Sequence, residues 1–229
     1  MGCMDANSKT LCSVDFTTDC PLRRIGAACP YCYVEAARDA NFNAKVLETD
    51  RPYNREVLRF TKAKIVKLNS LGGIRLHSFG DYIREEHRES MQLFLDDCFQ
   101  VGLKVKAITK QETFLADFGD HPALSIVHLT VDNIGASPVA WDRALQLRQW
   151  YPNLRIRAVC LSDADVAAMA PWVDIVTLNH RNLGHKVPGS VNFSARHNKA
   201  KKAAIVAQYP EKVCCQTGKC SSCPIHCAA

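Results

Sequence analysis

Between Leu11 and Phe193 the chain repeats one pattern, a short apolar run ending in small or polar residues followed by a stretch whose apolar positions recur at helical spacing. Six such runs occur: Leu11 to Phe16, Gly73 to Ser78, Leu103 to Thr109, Ser125 to Val131, Leu154 to Leu161 and Val173 to Leu178. Amphipathic stretches lie between them, among them Glu56 to Leu68, Glu85 to Val101, Pro138 to Trp150 and Asp163 to Ala170. Strand and helix in alternation predict a parallel α/β sheet, because parallel neighbours need a long crossover and a helix is the compact way to make it. With right-handed crossovers, six successive units curl into a barrel or three-quarter barrel; a flat doubly wound sheet is the other arrangement the pattern allows. In both, the loops after the strands' C-terminal ends gather on one face, where sites are built. Those loops run over Thr17 to Cys32, Phe79 to Tyr82, Lys110 to Glu112, Asp132 to Gly135, Ser162 to Asp163 and Asn179 to Asn182.

With 229 residues, 47% of them hydrophobic, the chain can bury one sizeable core, and no linker divides it. The expected organisation is a barrel-like domain over residues 1–193 and an extension over 194–229 made of a basic helix and a cysteine-rich tail. Twelve cysteines call for a chemical role. A set of disulfides would imply secretion, but the N-terminus Met1-Gly2-Cys3-Met4-Asp5-Ala6 lacks the apolar segment of a signal peptide, so a reduced cytoplasmic setting is expected. No apolar run approaches the roughly 20 residues of a membrane span, and no membrane partner is expected. The formal charge of +6 permits an anionic partner without requiring one.

The loop after the first run carries Cys20, Cys29 and Cys32. Cys29 and Cys32 form a CxxC pair whose sulfurs can reach one metal centre, and Cys20 can fold back across Gly26 to join them. No fourth cysteine is local. In a [4Fe–4S] cluster three ligands leave one iron open to a small molecule, which suits catalysis rather than electron storage. A zinc site completed by a distant histidine, a thioredoxin-type redox pair and buried structural cysteines are the other readings of the same residues. After the second run, His77 and Asp81 are close enough to share one pocket, to which Ser78 adds a hydroxyl; a hydrogen-bonded turn explains His77 equally well. Gly80 suits a close-approach turn. Lys110 closes the third run, where its ammonium can project into the mouth toward an anionic group. Asp132, Asn133, Ser162, Asp163, Asn179 and His180 follow the later runs, with Ser162-Asp163 best read as a helix cap.

These residues resemble the radical S-adenosylmethionine (SAM) superfamily, and within it small phage-type and bacterial radical-SAM-like proteins. The superfamily motif is CxxxCxΦC with an aromatic Φ, here Tyr31, although eight residues rather than three separate Cys20 from Cys29. Arg75-Leu76-His77-Ser78-Phe79-Gly80-Asp81-Tyr82 is similar to the phage-type signature R-x-H-x-x-G-D, and Thr109-Lys110 forms a third match in the expected order. The resemblance implies a partial (β/α)6 barrel of radical SAM type with a Cys-rich C-terminal extension. It implies an enzyme in which SAM, bound at the open iron, yields a 5′-deoxyadenosyl radical that abstracts hydrogen from a substrate the sequence leaves unnamed. It places Tyr31 near the adenine, Gly80 and Asp81 at the methionine ammonium, Ser78 in the cofactor pocket, and Lys110 and His77 in catalytic roles, with flavodoxin or ferredoxin as electron donor. The competing class is a non-catalytic iron–sulfur or zinc module that binds nucleic acid or a protein partner.

The tail places Cys214, Cys215, Cys220, Cys223 and Cys227 within fourteen residues. From Cys215 the spacing is C-x4-C-x2-C-x3-C, in the style of iron–sulfur loops; Cys214 or Cys215 is the spare, and structural zinc, with His226 available, is the other reading. By resemblance the tail holds a second [4Fe–4S] cluster. Cys3, Cys12, Cys98 and Cys160 stand apart as free thiols. Arg196, His197, Lys199, Lys201 and Lys202 precede an apolar helical stretch, Ala203 to Tyr209, as a solvated face or a contact for nucleic-acid phosphate.

Overall fold

The computed structural model describes residues 13–17, 19–27, 29, 53–70, 72–77, 80–178, 187–193 and 195–213. Tyr31, Cys32, Ser78 and the tail cysteines Cys214, Cys215, Cys220, Cys223 and Cys227 lie outside them. The strands are β1 (Ser13–Val14), β2 (Ile74–Leu76), β3 (Val105–Thr109), β4 (Leu124–Asp132), β5 (Leu154–Cys160) and β6 (Ile175–Leu178). The helices are α1 (Pro21–Arg24), α2 (Lys62–Ser70), α3 (Arg84–Gln100), α4 (Glu112–Phe118), α5 (Trp141–Trp150), α6 (Asp163–Met169) and α7 (Lys199–Gln208). Short 3-10 turns occupy Glu56–Arg59 and Arg196–Asn198.

All six strands form one parallel sheet in the order β1-β2-β3-β4-β5-β6. A doubly wound sheet reverses its strand order at a switch point, and this one does not. When every crossover steps the same way with the same hand, the helices fall on one face. The buried side chains bear this out. Leu76, Ala107, Val127, Leu129, Ile156, Ala158 and Val176 from the strands share a single apolar cluster with Phe94 of α3, Phe114 of α4, Leu147 of α5, Val166 of α6 and Ile205 of α7. This is the layout of a partial barrel.

The opposite, inner face carries Arg75, Lys106, Ile108, Ile126, His128, Thr130, Asp132, Arg155, Arg157, Val159, Ile175 and Thr177, none of which joins that cluster. One extra residue in β4 keeps the two faces in phase: Val105 pairs with Leu124 but Lys106 pairs with Ile126. Between them Ser125 Oγ donates to the Val105 carbonyl at 3.1 Å.

Local chemistry sets the helix ends. Ser162 caps α6 in a capping box with Asp165, as expected of a residue that ends a strand and opens a helix. The stretch from Glu56 to Leu68 is two elements rather than one, because Phe60 is extended and the Thr61 hydroxyl accepts the Lys64 amide at 3.2 Å to start α2 afresh. Of the basic residues ahead of Ala203, Lys199, Lys201 and Lys202 belong to the last helix itself, which starts at Lys199, whereas Arg196 and His197 lie in the 3-10 turn before it. After it, Val213 is buried and bridges in parallel to Val176 of β6. Among the described residues, no helix is long and apolar enough to cross a membrane.

Candidate functional site

The loops that follow β1, β2, β3 and β4 meet at the C-terminal end of the sheet. In the first loop Cys20 is the N-cap of α1, with Pro21 at the first helical position; its Sγ accepts the Arg23 amide at 3.4 Å. The loop is pinned by Asp19, whose carboxylate accepts the Cys20 amide at 2.9 Å and the Arg24 Nε at 2.9 Å. Burial pushes the Asp19 carboxyl upward, but the Arg24 and Cys20 hydrogen bonds and the nearby Arg23 charge outweigh it and hold it below the usual carboxylate range. Arg24 also pairs with Glu86 at the start of α3, with one contact at 3.0 Å, and so ties the cysteine loop to the helix layer.

The second loop lies directly against the first. A Cβ on Gly80 would stand 2.2 Å from the Thr17 carbonyl and 2.6 Å from that of Asp19, so only glycine allows the two backbones to approach this closely. The Gly80 amide donates to Asp15 Oδ1 at 3.3 Å and the Asp81 amide to the Asp19 carbonyl at 3.0 Å.

Asp81 then joins this pair of loops to β3. Its Oδ1 accepts the Thr109 hydroxyl at 2.6 Å and the Tyr82 amide at 2.8 Å; its Oδ2 accepts the Lys110 amide at 2.8 Å. The carboxylate is thus chiefly a brace between the β2 loop and the end of β3.

Lys110 follows Thr109 and projects to the inner side. Its Nζ lies 2.9 Å from Cys29 Sγ and 3.8 Å from Asp132 Oδ2 at the end of β4. Asp132 Oδ1 accepts the amides of Ile134 at 3.1 Å and Ala136 at 2.9 Å, which fixes the carboxylate beside the lysine. The sequence placed Asp132 only among the residues that follow the later runs; the structure brings it together with Lys110 and Cys29.

His77 has a left-handed backbone, φ 61°, and a buried ring set edge-on to Phe114 at 5.1 Å between centroids. Its Nδ1 is 3.7 Å from Asp81 Oδ1, too far for a hydrogen bond. Burial pushes the imidazole pKa down, and the Asp81 and Asp15 carboxylates and the Ile108 backbone only partly oppose this. His77 therefore sits behind Asp81, in the aromatic layer, rather than with Lys110 and Cys29.

Cys98 and Cys160 are buried in the apolar cluster and in no disulfide, and burial pushes the Cys98 thiol up. Sequence reasoning passed over Lys106, His128 and Arg157 because each sits inside a run read as apolar. The signal was the period-two alternation in Val105-Lys106-Ala107, Val127-His128-Leu129-Thr130 and Arg155-Ile156-Arg157-Ala158, which marks a two-faced strand.

Cys20 and Cys29 are both half-buried, on one loop and in no disulfide. Each sulfur faces an N–H donor, Arg23 N or Lys110 Nζ, and hydrogen bonds of this kind tune the thiolates of iron–sulfur clusters. The donor set fits a metal–sulfur group to this extent. Among the described residues, no group of three or more Cys, His, Asp or Glu side chains is placed to hold a metal ion.

No family model and no curated protein matches the chain. Among solved structures, the crystal structure of an FMN-binding beta-glucuronidase from Facaelibacterium prausnitzii L2-6 is similar to it with a TM-score of 0.36 and 16% identity over 66% of this chain. The match takes in 26% of that protein, so the chain spans about a quarter of its length. At that TM-score the likeness bears on neither chemistry nor substrate.

Proposed function

We propose that this chain is a radical SAM-type iron–sulfur enzyme, with Cys20, Cys29 and Cys32 as ligands of a [4Fe–4S] cluster at the mouth of the partial barrel. The observation that carries the reading is the meeting of Cys29, Lys110 and Asp132 at the C-terminal end of a sequentially ordered parallel sheet. When bound, such a cluster supplies the electron that cleaves SAM to a 5′-deoxyadenosyl radical for hydrogen abstraction.

The chain's own residues then divide the work. Lys110 donates to the Cys29 sulfur and offers its positive charge to the carboxylate of SAM or to an anionic substrate group. Asp132 holds that ammonium in place from the other side. Asp81 fixes the backbone of Lys110 and keeps the β2 loop against the cysteine loop, and its carboxylate receives the methionine ammonium. Gly80 admits the close approach that the pairing needs. Tyr31 and Ser78 complete the cofactor pocket in this reading, His77 supports Asp81 from behind, and Cys215, Cys220, Cys223 and Cys227 hold a second cluster. A flavodoxin- or ferredoxin-type donor supplies the electron, and the protein works in the cytoplasm.

Anaerobic reconstitution tests the proposal. The full chain should take up iron and sulfide, and the variant Cys20→Ala/Cys29→Ala should contain about four irons fewer. With SAM and a strong reductant the wild-type protein should release 5′-deoxyadenosine. Zinc in place of iron at the Cys20 loop would overturn the proposal. An intact cluster without 5′-deoxyadenosine would favour a non-catalytic module.

A further inference from the structure

We infer that Lys110 and Asp132 set the reduction potential of the cluster at the Cys20 loop, Lys110 raising it through the Cys29 sulfur and Asp132 holding that rise back. The inference rests on the cluster reading and gives two side chains of that site opposed electrical roles. In this role both are positioning residues, which act through Cys29 rather than on a substrate.

Cys20 and Cys29 differ in their donors. Cys20 Sγ accepts a neutral backbone amide, that of Arg23, at 3.4 Å, whereas Cys29 Sγ faces the Lys110 ammonium at 2.9 Å. Reduction by a one-electron donor of flavodoxin or ferredoxin type adds one negative charge, breaks no bond, and spreads part of that charge onto the ligand sulfurs. Hydrogen bonds to the sulfurs and local charge govern the potential, and a charged donor stabilises the reduced form more than a neutral one does.

Water does little to weaken this effect. The Lys110 side chain is 15% exposed and that of Asp132 1%, so their charges act in a medium of lower dielectric than bulk water. Asp132 Oδ2 stands 3.8 Å from Lys110 Nζ, close enough for an ion pair but beyond hydrogen-bond length, while the contact to Cys29 is within it. The carboxylate therefore offsets part of the lysine's field without displacing the N–H···S contact.

The local structure fixes both groups. Asp132 Oδ1 is held by the amides of Ile134 and Ala136, and the Lys110 backbone by Asp81 Oδ2. The Asp81 amide also binds the Asp19 carbonyl, at the start of the loop that leads to Cys29. Asp81 thus anchors the lysine and the loop together, and charges already in place need no rearrangement when the electron arrives.

The test is a redox titration of the anaerobically reconstituted full chain without SAM, followed by electron paramagnetic resonance, with iron content measured in parallel. The signal followed is the one that Cys20→Ala/Cys29→Ala lacks, which separates it from a cluster in the tail. At the wild-type midpoint, Lys110→Met should lower the reduced-to-oxidised ratio about ten-fold, a fall of about 59 mV for one electron. Lys110→Arg, which keeps the charge, should recover part of that fall. Asp132→Asn keeps an oxygen for the two loop amides and removes the charge, and should raise the ratio roughly three-fold. Lys67→Gln, exposed on α2, should change nothing. Should Lys110→Met take up no iron, Asp132→Asn decides alone: a rise supports the inference, and an unchanged or lower potential overturns it. Unchanged potentials in iron-loaded variants, or shifts of the same sign in Lys110→Met and Asp132→Asn, would overturn this inference and leave the cluster reading standing. A wild-type chain without iron at the Cys20 loop would overturn both.

Discussion

The β4–β5 pair and the β1–β2 pair belong to the same sheet but are held by different forces. Between β4 and β5 six residue pairs are in register, and Leu129, Ile156 and Ala158 are fully buried beneath α5 and α6. Between β1 and β2 only two pairs are in register. What keeps their ends together is polar, Asp15 to Gly80 and Asp19 to Asp81, and Asp81 in turn ties them to Thr109 and Lys110 at the end of β3. Apolar burial tolerates small displacements, whereas a hydrogen-bonded brace fixes atoms within tenths of an ångström. The first pair therefore supplies stability and the second supplies position, at the end of the sheet where the cysteines lie.

The largest effect should come from the apolar half. Leu129→Ala removes a fully buried side chain and should cost about 2–5 kcal/mol, read as a lower denaturant midpoint with an unchanged slope. If hydrogen exchange in that variant speeds up only within β4, the sheet is not one cooperative unit and the contrast fails.

Asp81→Ala should cost less, about 1–3 kcal/mol, and do so locally. The amides of Gly80, Asp81 and Lys110 should exchange faster while those of β4 and β5 stay protected. Thr109→Val removes a single bond to the brace and should give a smaller loss in the same place.

The smallest effect is a pH dependence at a second polar brace. Asp97 in α3 accepts the Tyr53 hydroxyl at 2.8 Å and Arg55 Nη2 at 2.7 Å. Burial pushes its carboxyl up, but these two donors outweigh it and hold the pKa below the usual value. A depressed folded pKa means the contribution is fully present above the unfolded value of about 3.9 and is lost as pH falls below it through the folded pKa. Denaturant titrations at pH 6 and pH 3 should show that part of the acid loss disappears in Asp97→Asn, which is less stable at pH 6.

Much of this was legible in the chain. Five of the six strands fall within the apolar runs and β4 overruns its run by one residue at each end, since a strand buried on its helix side must be apolar there, and Ser162 was readable as a helix cap. Gly80 and Asp81 were readable as a turn. Their partners were not, because Thr17, Asp19, Thr109 and Lys110 are remote in sequence and meet them only once three loops converge. The four-residue helix α1 also escaped notice, being too short for any periodicity to show and held by the Cys20 cap and Pro21.

By itself the sequence determined the alternation of strand and helix and which residue types crowd the strand ends, because periodicity and local propensity act over a few residues. Tertiary structure alone decided that Asp81 is a brace, that Lys110 stands between Cys29 and Asp132, and that Arg157 points along a polar inner face. Those outcomes depend on register and on the approach of loops across the sheet, where the energy of each contact is set by partners distant in the chain.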